Sequence, residues 1–99
     1  MEIRFATSDI EELYTEEKGA ERYPPEVVSA FFRRVDLIRN AIDERDLRAL
    51  KGVRFEKLRG SDRYSMRLNR QWRLELVFDP PQGTDKAAVI IQISKHYGD

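Results

Sequence analysis

Ninety-nine residues suffice for a single domain, expected to span 1–99, and an apolar content of 40% with ten aromatic side chains favours a folded globule over disorder. The absence of cysteine excludes disulfides and thiolate zinc sites, and a single histidine leaves no histidine-rich metal site. The formal charge is zero, but residues 48–73 hold nine basic side chains against two acidic ones, while residues 1–32 hold eight acidic against three basic. Such a concentrated basic field attracts polyanions whatever the total charge, which makes nucleic-acid phosphate the first partner to consider.

The N-terminus, MEIRFATSDIEELY, has no apolar stretch of the signal-peptide kind. No run approaches the ~20 apolar residues that span a bilayer. A soluble, cytoplasmic protein is expected. Glu2 to Ala6 alternates, with Ile3 and Phe5 on one side, and reads as a short strand. Ser8, with Glu11 three residues on, fits a capping box opening a helix whose apolar stripe is Ile10, Leu13 and Tyr14, with Gly19 as its stop. Pro24 and Pro25 suit the entry of a second helix. Its stripe reads Val28, Phe31, Val35, Ile38 and Ile42, widened by Phe32 and Leu37, with Arg33, Arg34, Asp36, Arg39, Asp43 and Glu44 outside it. The helix fades near Asp46, and a short turn from Asp46 to Leu50 is closed by Gly52.

After Gly60 the period changes from 3.6 to 2. Tyr64, Met66, Leu68, Trp72, Leu74, Leu76 and Phe78 are all even-numbered, whereas Ser65, Arg67, Asn69, Gln71, Arg73 and Glu75 are odd. This predicts two amphipathic strands joined by a turn. Ala87 to Ile93 is nearly all apolar and reads as a strand buried on both faces. The expected fold is α+β, in the order β-α-α-β-β-β, with two N-terminal helices packed on a twisted antiparallel sheet.

Because parity is preserved across the hairpin, its loop has an odd length, and Asn69-Arg70-Gln71 fits. Leu68 then faces Trp72, Met66 faces Leu74, and Tyr64 faces Leu76. The same register sets Arg67 directly opposite Arg73 on the other face. Two like charges so placed destabilise a hairpin by up to ~1 kcal/mol. Either the arginines splay into solvent or pair with Glu75, or they clamp a phosphate with their planar forks of donors. By the same parity, Trp72 and Tyr64 belong to the core.

Several of these residues form a recognisable set. Leu50-Lys51-Gly52, Glu56-Lys57-Leu58-Arg59-Gly60, Tyr64-Ser65-Met66-Arg67-Leu68-Asn69 and Gln71-Trp72-Arg73 resemble the HigB-type toxins of the RelE/ParE superfamily. The resemblance covers nearly the whole chain in element order and is most specific from Arg67 to Arg73. It implies the growth-inhibiting half of a type II toxin–antitoxin pair, a metal- and cofactor-independent endoribonuclease that enters the ribosomal A site and cuts mRNA there. It further implies an antitoxin, usually of helix-turn-helix type, as partner. Arg67 and Arg73 match the family's hairpin arginines, which hold the scissile phosphate; Arg59 matches a basic position used for RNA contact, with Lys57 close by.

Two departures from the family pattern stand out. Many members end in aspartate-tyrosine-histidine, where this chain has Lys95-His96-Tyr97, with histidine and tyrosine swapped; counted from the final apolar strand, Tyr97 would take the histidine position and His96 the other face, a register that the sequence leaves open. Glu56 stands where some members carry a further histidine.

Cleavage by a 2′-hydroxyl needs a proton acceptor, a proton donor for the leaving 5′-oxygen and cations for the pentacoordinate phosphate. Arg67 and Arg73 fit the last role. His96, Tyr97, Glu56 and Lys57 are the candidates for proton transfer, with Glu56 equally able to pair with Arg54 or Lys57. Lys51, Arg54, Arg70 and Lys95 join Lys57 and Arg59 as candidate RNA contacts. Two alternatives remain open: a ParE-like inhibitor of DNA gyrase, and a catalytically degenerate module that binds RNA or antitoxin.

Overall fold

The computed structural model describes residues 1–83 and 85–95. Its elements run β1 (Glu2–Phe5), α1 (Ser8–Glu16), a 3-10 turn (Ala20–Arg22), α2 (Pro25–Asn40), α3 (Glu44–Ala49), β2 (Glu56–Lys57), β3 (Tyr64–Arg67), β4 (Trp72–Asp79) and β5 (Ala87–Lys95). The strands form one five-stranded sheet in the order β1-β5-β4-β3-β2. The expected α+β architecture is present, with two additions and one correction. The sheet gains the short β2, antiparallel to β3. The second helix, expected to fade near Asp46, stops at Asn40, and the turn expected from Asp46 to Leu50 lies largely within a separate helix, α3. The first strand lies parallel to β5, so the sheet is mixed rather than purely antiparallel.

The helices cover one face of the sheet. Ile10 and Leu13 of α1, Val27, Ala30, Phe31, Val35 and Ile38 of α2, and Leu47 of α3 are buried with Met66, Leu74, Leu76, Phe78, Ala88, Ile90 and Ile93. Burial of each Val, Leu, Ile, Phe or Met side chain among these contributes roughly 1.5–3 kcal/mol. On α2 the buried stripe is Val27, Ala30, Phe31, Val35 and Ile38, one residue earlier than its expected start at Val28. Ile42 does not extend it and is 84% exposed, because the helix stops at Asn40 and Ala41 is already extended. Seven residues after Val27, Arg34 falls in line with the buried stripe, not outside it, and is half-buried.

The α1 cap is Thr7, whose hydroxyl accepts from the Ile10 amide at 3.4 Å, so Ser8 is the first helical residue and not the cap. The helix ends at Glu17 in the left-handed region, ahead of Gly19. In β5 the apolar run has a specific cause. Glu75 pairs with Gln92 but Leu76 pairs with Ile90, which leaves Ile91 as the extra residue of a bulge. Ile90 and Ile93 thereby both reach the core, while Gln92 is exposed. This strand is therefore fully buried on one face only.

Candidate functional site: an arginine hairpin on the open face of the sheet

The β3–β4 hairpin has the register that parity requires: Tyr64 opposite Leu76, Ser65 opposite Glu75, Met66 opposite Leu74 and Arg67 opposite Arg73. At its tip the Leu68 amide donates to the Trp72 carbonyl at 2.8 Å. The Asn69 side-chain oxygen accepts from the amides of Gln71 at 2.8 Å and Trp72 at 2.9 Å, which closes the loop. The Arg67 amide donates away from β4, to the Val53 carbonyl at 2.5 Å. Arg67 and Arg73 are thus a non-hydrogen-bonded pair, the kind in which opposed side chains stand closer, with Cα atoms typically about 4.5 Å apart.

The two arginines differ in what surrounds them. Arg73 donates through Nη1 to Glu56 Oε1 at 3.0 Å and to the Ser65 hydroxyl at 3.3 Å, and its side chain is only 15% exposed. Arg67 donates through Nε to the Asn69 carbonyl at 3.3 Å and, among the described residues, has no carboxylate partner. Glu75, expected as a possible partner for Arg67, is taken by Arg63 at 2.9 Å. Burial pushes the Glu75 carboxyl up, but hydrogen bonds from Ser94, Arg63 and Gln92 outweigh it and hold the group below its ordinary value.

The same selectivity divides the whole basic stretch. Arg48 is paired with Glu44, Arg63 with Glu75 and Arg73 with Glu56. Lys51, Arg54, Lys57, Arg59, Arg67 and Arg70 have no carboxylate partner among the described residues, and all but Arg67 are exposed. Glu56 therefore does not pair with Arg54 or Lys57, its sequence neighbours. Strand alternation explains this: Glu56, opposite Ser65, shares the face of Arg73, whereas Lys57, opposite Tyr64, turns to the other side. Lys57 and Arg59 instead border a depression of the β2–β3 loop with Leu58, Gly60, Ser61 and Asp62.

Trp72 lies on the core side, edge-on to Tyr23 at 5.5 Å, and Lys95 closes β5 over its ring at 5.9 Å. His96 and Tyr97, the C-terminal candidates for proton transfer, lie outside the described residues. Two participants escaped sequence reasoning. Ser65 is buried beneath Arg73, and its odd position in the alternation was the available signal. Arg34 donates through Nε to the Arg67 carbonyl at 2.9 Å, and its place in line with the α2 stripe was the signal.

A family model describing the RelE-like toxin HigB of type II toxin–antitoxin systems matches residues 3–96. The chain belongs to the HigB-like toxin family. Toxin HigB-1 of Vibrio cholerae is 34% identical over 76 residues, a match covering 75% of this chain and 80% of that relative. A YoeB/ParE toxin from Agrobacterium tumefaciens has the same fold, with a TM-score of 0.59 over 98% of this chain and 100% of the other at 22% identity.

As a HigB-like toxin of a type II system, the protein has an antitoxin as its partner class. None of the described helices of the toxin is long and apolar enough to cross a membrane. Among its described residues no group of three or more His, Cys, Asp or Glu is placed to hold a metal ion. The chemistry offered by the described site is thus that of arginines, one carboxylate and a serine on an open strand surface.

Proposed function

We propose that this toxin is a metal-independent, ribosome-dependent endoribonuclease that cuts mRNA in the A site and so arrests translation. The observation that carries the reading is the opposed Arg67–Arg73 pair, in which Arg67 has no described carboxylate partner. A phosphate between the two forks offsets their mutual repulsion and receives donors from both. As the 2′-oxygen attacks phosphorus and the bond to the 5′-oxygen breaks, charge builds on the equatorial oxygens, where preorganised cations stabilise it most. The products are a 2′,3′-cyclic phosphate and a free 5′-hydroxyl.

Glu56 is the proton acceptor in this reading, because its carboxylate already sits 3.0 Å from Arg73 on the face where the phosphate binds. Its contact with Arg73 also holds that guanidinium in place. His96 or Tyr97, next along the chain from β5, supplies the proton to the leaving 5′-oxygen. Lys51, Arg54, Lys57, Arg59, Arg70 and Lys95 bind the flanking RNA and ribosomal RNA backbone. A helix-turn-helix antitoxin neutralises the toxin by docking on it. The test is a reaction of purified toxin with ribosomes stalled on a defined mRNA, run beside a gyrase supercoiling assay. An A-site cut that disappears in R67A and R73A supports the reading, and stalled gyrase with intact mRNA overturns it in favour of ParE-like action.

A further inference from the structure

Beyond the arginine pair itself, the molecule spends a third arginine on holding it. Arg34 is half-buried on the sheet-facing side of α2 and, among the described residues, has no carboxylate partner. Burial, reinforced by the neighbouring Arg33, lowers its pKa from the ordinary arginine value. Placing a cation there is unfavourable unless its position does something. Its one described hydrogen bond runs 33 residues along the chain, from Nε to the Arg67 carbonyl at 2.9 Å.

The reason for that bond lies in the edge of the sheet. The short β2 pairs with β3 only at Glu56–Ser65 and Lys57–Tyr64. Continued by two residues, it would set Arg54 opposite Arg67 and satisfy both backbone groups there. Arg54 instead adopts the left-handed region, at φ 49°, which turns the chain out of the strand. The Val53 carbonyl still receives the Arg67 amide, and Arg34 donates to the Arg67 carbonyl. Val53 and Arg34 together replace the missing strand at the one residue of β3 that carries the uncompensated guanidinium.

We propose that Arg34 is a positioning residue for the reaction: its Nε–H fixes the Arg67 peptide, and through it the aim of the Arg67 side chain at the phosphate. The proposal rests on the nuclease reading above. A loosened Arg67 peptide displaces the guanidinium from the forming charge, and a misplacement of ~1 Å is able to cost ~100-fold in rate.

Two variants separate the hydrogen bond from the charge. In Arg34→Gln the amide nitrogen lies as many bonds from Cα as Arg Nε, so the donor is kept and the charge lost. Arg34→Met keeps the length and loses both. Cleavage on mRNA-programmed ribosomes should fall about tenfold in kcat at unchanged KM for R34M and stay within about threefold of wild type for R34Q. In the isolated protein, the Arg67 carbonyl carbon resonance should shift in R34M and be largely retained in R34Q. Wild-type behaviour of R34M in both measurements overturns the proposal. Equal loss in the two variants also overturns it, since that pattern means the charge acts and not the bond. A wild type that cuts no mRNA overturns the nuclease reading alone, and the carbonyl resonance then still decides whether Arg34 holds the Arg67 peptide.

Discussion

Glu56 holds Arg73 through a 3.0 Å ion pair, while Arg67 directly across the hairpin has no described carboxylate. The two arginines are chemically unequal in the free protein. Arg67 presents an open charge, and Arg73 arrives already oriented, with the prospective base attached. Glu56→Gln should therefore separate binding from chemistry. Cleavage should drop ~100-fold or more, the usual worth of a positioned general base. Affinity for an RNA carrying a 2′-deoxy substitution at the cut should hold or improve, because a negative charge has left the site. Single-turnover cleavage and fluorescence anisotropy on the same variant check this, and wild-type cleavage by E56Q contradicts the assigned role.

The unpaired cations predict a salt signature. Each of Lys51, Arg54 and Arg70 that meets a phosphate contributes about 0.7 to the slope of log affinity against log salt for a single strand. Replacing one of them with alanine should weaken RNA binding and flatten that slope by about this amount. Arg45→Ala is the control, since Arg45 already pairs with Asp43 at 2.7 Å, outside the basic stretch. Its slope should be unchanged.

The Glu75 carboxyl predicts an acid limb. Burial raises its pKa, and hydrogen bonds from Ser94, Arg63 and Gln92 lower it further than burial raises it. A group depressed in the folded state contributes stability that is fully present above its unfolded value of ~4.3. That contribution is lost as pH falls through the folded value. Urea unfolding of wild type and Glu75→Gln from pH 3 to pH 7 should show the wild-type advantage shrinking below about pH 4. An advantage that grows toward acid would contradict the sign.

The far end of the core is held by a second network. Lys86, with a 10% exposed side chain, donates to Glu44 at 2.7 Å and lies 4.9 Å from the centre of the Phe78 ring. Lys86→Met should cost about 1.5–3 kcal/mol, the range for a hydrogen bond to a charged group. Lys18→Met removes a 3.7 Å pair whose lysine side chain is 69% exposed, and should change stability by under about 0.5 kcal/mol. Thermal unfolding of both variants measures the contrast.

Apolar residues at the even positions of both strands between Tyr64 and Phe78 made the hairpin register legible, and with it the opposition of Arg67 and Arg73. Other features left weaker traces. β2 is two exposed polar residues, too short for any period to show. α3 has six residues and one buried side chain, Leu47, so no stripe marks it. The parallel pairing of β1 with β5 depends on which strand edge is free, a tertiary matter that local pattern does not encode. Ile42 looked like a stripe residue because spacing alone does not register that the helix has ended at Asn40. Arg34 misled in the opposite sense, since its charge argued for solvent while its spacing argued for the sheet, and the spacing prevailed. The Glu56–Arg73 contact needed the β2–β3 register, which only the folded chain supplies.

In the proposed reaction Arg67 stabilises the phosphate during a cut made on the ribosome. Primer extension on mRNA from ribosomes with a defined codon in the A site, after mixing with wild-type toxin or Arg67→Ala, tests it most directly. Wild type should make an A-site cut, and R67A should make it about 100- to 1,000-fold more slowly, the loss typical of a missing charge-stabilising donor. The unfolding temperatures of the two proteins should agree within a few degrees. An intact message with wild type, or equal cutting by R67A, would contradict it.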